Sequence, residues 1–131
     1  LVAKGCADLI ISVEPMEALR YLPYLKKGGY VITNTVPYNN IPDYPETNII
    51  LERIDKLPCK IALDADQIAK ETATARASNI VILGAATPFL GLSITELEGG
   101  IKSLFRAKGN EIVEMNIKAL RAGYEIAKSQ I

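Results

Sequence analysis

Histidine is absent from the 131 residues, and cysteine occurs only twice, at Cys6 and Cys59. Without an imidazole the chain cannot assemble a Ser-His-Asp or Cys-His pair, a histidine-bearing zinc site or a histidine acid–base couple. Two thiolates fall short of the four that hold an iron–sulfur cluster. The two cysteines lie far apart, without the neighbours of a metal or redox motif, and are expected to be small buried hydrophobes with reduced thiols. Carboxylates remain as acid–base candidates in the pairs Asp64/Asp66 and Glu96/Glu98. Capping explains them more simply, because Asp64 with Gln67 and Ser93 with Glu96 have capping-box spacing. No catalytic residue and no metal ligand is therefore assigned. The nine glycines nowhere spell G-x-G-x-x-G or G-x-x-x-x-G-K-[ST], so neither phosphate-cradling loop is present as written.

Binding, as distinct from catalysis, has better candidates. Glu14 stands after a β-rich run, and Asn34, Thr35 and Asn39 stand on and after another, with Tyr38 and Asn40 beside them. In open parallel sheets ligands sit beyond the carboxyl ends of the strands, which is where these residues fall. Turn geometry accounts for the same amides and hydroxyls, so both readings stand. Arg76 and Asn79 interrupt a small, apolar stretch and face either a ligand, a partner or simply the cap of the next helix.

The elements that must position these residues follow from periodicity. Residues 7 to 14 (ADLIISVE) read as a strand, and Pro15 suits the first turn of a helix. The pattern predicts that helix over Met16–Lys27, with Pro23 kinking it and Gly28-Gly29 stopping it. YVITNT, residues 30 to 35, resumes as a strand, giving a strand–helix–strand unit with a parallel crossover. Residues 36 to 45 are loop by their prolines and asparagines. A second helix is expected from about Pro45 to Leu57, an inner strand at Lys60–Leu63, and a third helix from Ala65 to about Ala73. Residues 79 to 89 form an apolar run whose periodicity cannot separate strand from helix, and its length favours helix. Ser93 and Glu96 open a helix that runs to Ala107, and a last helix covers Glu111 to about Lys128 with Val113, Ile117, Leu120, Tyr124 and Ala127 on one stripe. The fold class is α/β: a Rossmann-like, open, mostly parallel sheet with flanking helices and a helical C-terminal region, in one domain over residues 1–131. The chain starts at Leu1 and enters a strand almost at once, so an N-terminal strand-turn segment is expected to be missing.

Fifteen basic residues balance fifteen acidic ones, and there is no basic block or arm, which disfavours nucleic acid as a partner. The longest apolar run is broken by Gly84, Thr87, Pro88 and Gly91 and is shorter than the ~20 residues of a membrane span. No secretory pattern opens the chain, so a cytoplasmic setting is the default expectation.

The run ADLIISVEPMEALRYLPYLKKGGYVITNT resembles the gamma-type subunit of the 2-oxoacid:ferredoxin oxidoreductases, and is most like the small subunit of the indolepyruvate branch. E-P-x-E-A-L-R-Y-L at Glu14 to Leu22, the glycine pair and a strand ending Asn-Thr carry the likeness. ALDADQIAKE, the segment Arg76 to Ala85 (RASNIVILGA) and the closing EMNIKALRAGYE extend it over essentially the whole chain. Two features depart from the family: its glycine-rich first strand and turn are not in this sequence, and Ala73-Thr74 stand where it tends to place Gly-Asn before the arginine.

The resemblance implies a share in oxidative decarboxylation of a 2-oxoacid such as indolepyruvate or pyruvate to the acyl-CoA. Thiamine diphosphate, iron–sulfur clusters and coenzyme A would act in the assembled enzyme, with none of them bound by this chain alone. The implied partners are the thiamine-binding and iron–sulfur subunits, with ferredoxin reached through the complex. Two rivals remain open: a free-standing Rossmann-like nucleotide-binding module, and a purely structural assembly domain.

Overall fold

The computed structural model describes residues 1–38 and 40–131, and the chain divides into two compact units, Leu1–Asp64 and Ala65–Ile131. The first unit is a three-stranded parallel sheet in the order β1 (Ala7–Ser12), β2 (Leu25–Asn34), β3 (Lys60–Leu63). Helix α1 (Pro15–Arg20) connects β1 to β2, and α2 (Thr47–Asp55) connects β2 to β3. Parallel neighbours need such crossovers, since a tight hairpin cannot reverse the chain twice. Helix α1 packs on β1, β2 and α2, while α2 also contacts β3. The register pairs Ser12 with Thr33 and Asn34 with Leu63, which brings the carboxyl ends of the strands level. Val31, Ile32 and Thr33 are fully buried, in keeping with the unbroken β-branched run that β2 shows in sequence. Ile50 and Ile54 turn the apolar stripe of α2 inward.

The first helix differs from its expected span. It ends at Arg20, a 3-10 turn covers Leu22–Tyr24, and β2 already begins at Leu25. Pro23 has no N–H to give and its ring clashes with the preceding turn, so here it ends the helix, where the sequence pattern had it only kinking one. Leu25–Lys27 therefore start a strand, and Gly28-Gly29 lie within it. The pairing jumps from Ala7–Leu25 to Leu9–Tyr30, an irregularity that Gly28 permits with a φ of 80°.

The second unit is helical. Its elements are α3 (Ala65–Thr72), α4 (Ser78–Ala86), α5 (Ile94–Phe105) and α6 (Asn110–Gln130), with 3-10 turns at Ala75–Ala77, Thr87–Phe89 and Arg106–Lys108. The ambiguous apolar run is α4, a helix buried along most of its length, as an all-round hydrophobic helix must be. It packs on α6, whose stripe of Val113, Ile117, Leu120 and Ala127 is buried and whose Tyr124 is half-buried. Leu120 and Ile82 are almost wholly removed from water, worth about 1.5–3 kcal/mol each.

The α4–α6 seam is closed by two glycines in reciprocal positions. A Cβ on Gly84 would fall 2.0 Å from the Leu120 carbonyl oxygen, and one on Gly123 would fall 1.9 Å from that of Val81. Each glycine thus faces the carbonyl three residues before the other glycine, and the two backbones touch there. The expected capping box opens α5: Ser93 Oγ accepts from Glu96 N at 3.2 Å, and a Glu96 carboxylate oxygen accepts from Ser93 N at 2.7 Å.

Candidate functional site

In the first unit the strand ends converge on Glu14. Proline at the first helical position leaves Glu14 as the N-cap of α1, and its Oε2 accepts from Glu17 N at 2.8 Å. Its Oε1 accepts from Tyr38 N at 3.4 Å and from the Tyr44 hydroxyl. Ser12 secures the backbone below, its Oγ accepting from Glu14 N at 3.2 Å and donating to the Glu14 carbonyl. Glu14 is only 8% exposed, so this carboxylate is buried with donors from three segments around it. Burial first, and then the hydrogen bond and negative charge of Glu14, push the Tyr44 phenol well above its ordinary value, which favours the protonated, donating form.

Asn34 ties the same region together. Its Nδ2 donates to the Val13 carbonyl at 3.3 Å and its Oδ1 accepts from Val36 N at 3.3 Å, joining the end of β1 to the loop after β2. Thr35 extends the ladder by donating its N–H to the Leu63 carbonyl at 3.0 Å. Glu14, Asn34 and Thr35 thus come together at the strand ends, where they hold the loop. Asn39 lies outside the described residues. Tyr44 was missed in the sequence, since nothing in a proline-rich loop singles out the tyrosine that reaches back to a carboxylate 30 positions earlier.

Beside β1 runs an apolar groove of ≈ 480 Å³ lined by residues that include Ile10, Ile11, Tyr21 and Tyr24. Among the described residues β1 pairs with β2 alone, and Ile11 and Val13 are 45% and 56% exposed.

In the second unit Arg76 and Asn79 line one pocket of ≈ 410 Å³. Thr74 sets the local turn by accepting from Arg76 N at 3.2 Å, which places Arg76 in the 3-10 turn just before α4. Asn79, on the first turn of α4, accepts from Ile80 N at 3.0 Å through Oδ1. Lys108 joins from the turn after α5, its Nζ 5.8 Å from the centre of the Phe105 ring. Phe105, Ile80, Ile112 and Met115 make the apolar wall, and Asn116 adds a second amide. No acidic residue lines this pocket, and among the described residues neither Arg76 nor Lys108 has a carboxylate within ion-pair distance. Lys108 and Asn116 were not anticipated. Lys108 follows the helix end expected at Ala107, and nothing in the sequence links it to Arg76.

The donor set does not fit a resident metal centre. Among the described residues no group of three or more His, Cys, Asp or Glu could hold a metal ion, and both cysteines are free. Cys6 is exposed at the turn before β1, contrary to the expectation of burial, because that turn precedes the sheet; Cys59 is half-buried. No helix is long and apolar enough to cross a membrane among the described residues.

A three-stranded parallel sheet with crossover helices in one unit and a set of packed helices in the other define an α/β protein. The chain belongs to the pyruvate ferredoxin/flavodoxin oxidoreductase family, whose model matches residues 1–126. It is 34% identical to the indolepyruvate oxidoreductase subunit IorB of Archaeoglobus fulgidus, with 98% of this chain and 67% of that protein covered. The subunit of the same name from Thermococcus kodakarensis is 33% identical, with 100% and 68% covered. The chain therefore spans about two-thirds of the length of these relatives. Among solved structures, the 2-oxoglutarate:ferredoxin oxidoreductase of Magnetococcus marinus, with 2-oxoglutarate, coenzyme A and succinyl-CoA bound, aligns with a TM-score of 0.67 at 22% identity. That match covers 98% of this chain and 21% of the other, and supports the α/β fold.

Proposed function

We propose that this chain is an accessory, gamma-type component of a cytoplasmic 2-oxoacid:ferredoxin oxidoreductase of the indolepyruvate kind, its 131 residues forming one family domain. In such an enzyme the 2-oxoacid loses carbon dioxide, its acyl group passes to coenzyme A, and two electrons pass through iron–sulfur clusters to two ferredoxins. Thiamine diphosphate and the clusters reside on partner subunits, and this chain helps to shape the approach of substrate or coenzyme A. The observation that carries the reading is the match to the family over residues 1–126 in a chain with no histidine and two unclustered cysteines. Such a chain must borrow its reactive centre.

Purification of the tagged protein from its native cell tests this. A thiamine- and iron-containing partner should come with it, and indolepyruvate-dependent ferredoxin reduction should appear in the complex and be absent from the isolated chain. Full-speed oxidation of a keto acid by the isolated chain, or purification with no such partner, would refute the assignment.

A further inference from the structure

We propose that the pocket at the start of α4 and α6 binds a small organic anion: a carboxylate or phosphate head seated between Arg76 and Lys108, with a compact apolar or aromatic body against Phe105, Ile80, Ile112 and Met115. Arg76 and Lys108 both line one pocket whose lining contains no acid, and among the described residues neither has a carboxylate within ion-pair distance. Side chains of like charge repel when brought together, and a structure that gathers them without a counter-charge leaves a site for a mobile anion. Arg76 can present a planar fork to two oxygens, while Lys108 adds a point charge.

The backbone contributes in the same direction. Helix α4 starts at Ser78 behind Ala77, which makes no side-chain cap bond, and Ala77, Asn79 and Ile80 all line the pocket. The first turn of this nine-residue helix therefore adds its positive dipole end to the two cations. The opposite wall is apolar, and Asn79 and Asn116 supply amides at its margin. At ≈ 410 Å³ the pocket falls within the usual range for small-molecule sites, with room for more than an inorganic ion. Gly84 and Gly123 bring the backbones of α4 and α6 into contact, and both helices supply residues to the lining. The proposal stands on this geometry alone and does not require the oxidoreductase assembly.

Calorimetric titration of the full chain with 3-phenylpropanoate and with phenyl phosphate tests it, beside neutral 3-phenylpropanamide and inorganic phosphate. At least one organic anion should bind saturably, about tenfold or more tighter than the neutral amide, and weaken with added salt. The tighter of the two identifies the head group as carboxylate or phosphate. The double variant R76Q/K108Q should bind about tenfold or more weakly while keeping the wild-type circular dichroism spectrum and melting temperature. Equal binding of acid and amide, unchanged binding by the double variant, or no binding of either anion at millimolar concentration would overturn the proposal. Competition by inorganic phosphate as strong as by the organic anions would overturn the role of the apolar wall.

Discussion

Glu14 and Arg76 both stand at the entrance of a helix, yet their surroundings are opposite. Glu14 is buried, and its two oxygens accept from Glu17 N, Tyr38 N and the Tyr44 hydroxyl. Arg76 is exposed on the rim of a pocket with Lys108, and among the described residues no carboxylate lies within ion-pair distance of it. A charge whose hydrogen bonds are satisfied within its own chain stabilises the fold, because leaving such a group unmet in the interior costs more than the bonds gain. A charge left unsatisfied at a pocket contributes little to folding and is available to a ligand. The comparison thus sets a polar cluster satisfied within the first unit against the proposed anion site of the second.

The greatest effect is expected where the second unit's pocket is held open. Gly84→Ala or Gly123→Ala would force a methyl group to within about 2 Å of a backbone carbonyl on the facing helix. Backbone cannot rotate away as a side chain can, so α4 and α6 must separate. Each substitution should cost about 3 kcal/mol or more in urea denaturation and abolish anion binding as the walls part. A loss below about 1 kcal/mol would mean that the helices separate cheaply and that the pocket is not preformed.

Those two glycines mark the boundary of what the sequence reveals. Residues 79 to 89 favoured a helix on length, and α4 is one, yet only the partner helix explains why Gly84 belongs in its middle. Local signals were read well: the Ser93–Glu96 capping box and the short strand Lys60–Leu63 both depend on neighbours within a few residues. Pro23 was noticed but weighed too lightly, since its cost to a helix interior exceeds what Leu25 and its neighbours gain by staying helical. For the candidate sites, strand-end logic named Glu14 and Asn34, and the break in an apolar run named Arg76 and Asn79. Tyr44, Lys108 and Asn116 escaped because each joins its cluster through a contact made only after folding.

The first unit offers the next largest effect. Glu14→Ala removes the cap of α1 and leaves the Tyr44 hydroxyl and Tyr38 N–H without their acceptor, at a cost of about 2 kcal/mol. Glu14→Gln retains an acceptor and should cost less than half of that. Equal losses for the two variants would show that charge, not hydrogen bonding, dominates there.

Tyr44→Phe sharpens the same point through pH. The folded-state phenol titrates above the ordinary tyrosine value near 10, because of burial and then the Glu14 bond and charge. The native state therefore keeps a proton that the unfolded chain releases. Its contribution is complete below pH ~10 and declines as the pH rises beyond that value. The variant should lose about 1 kcal/mol at neutral pH and show a shallower alkaline decline than the wild type. Parallel alkaline curves for the two proteins would remove Tyr44 from the cluster.

The smallest effect carries the contrast furthest. Arg76→Gln and Lys108→Gln should each leave stability within about 0.5 kcal/mol of wild type, since both side chains are exposed and neither is ion-paired among the described residues. The same denaturation series that registers Glu14→Ala should therefore be nearly silent for these two, while anion titration reverses the order. A loss of 2 kcal/mol at Arg76 would require an internal partner for its guanidinium and would place it with Glu14, among the residues that hold the fold.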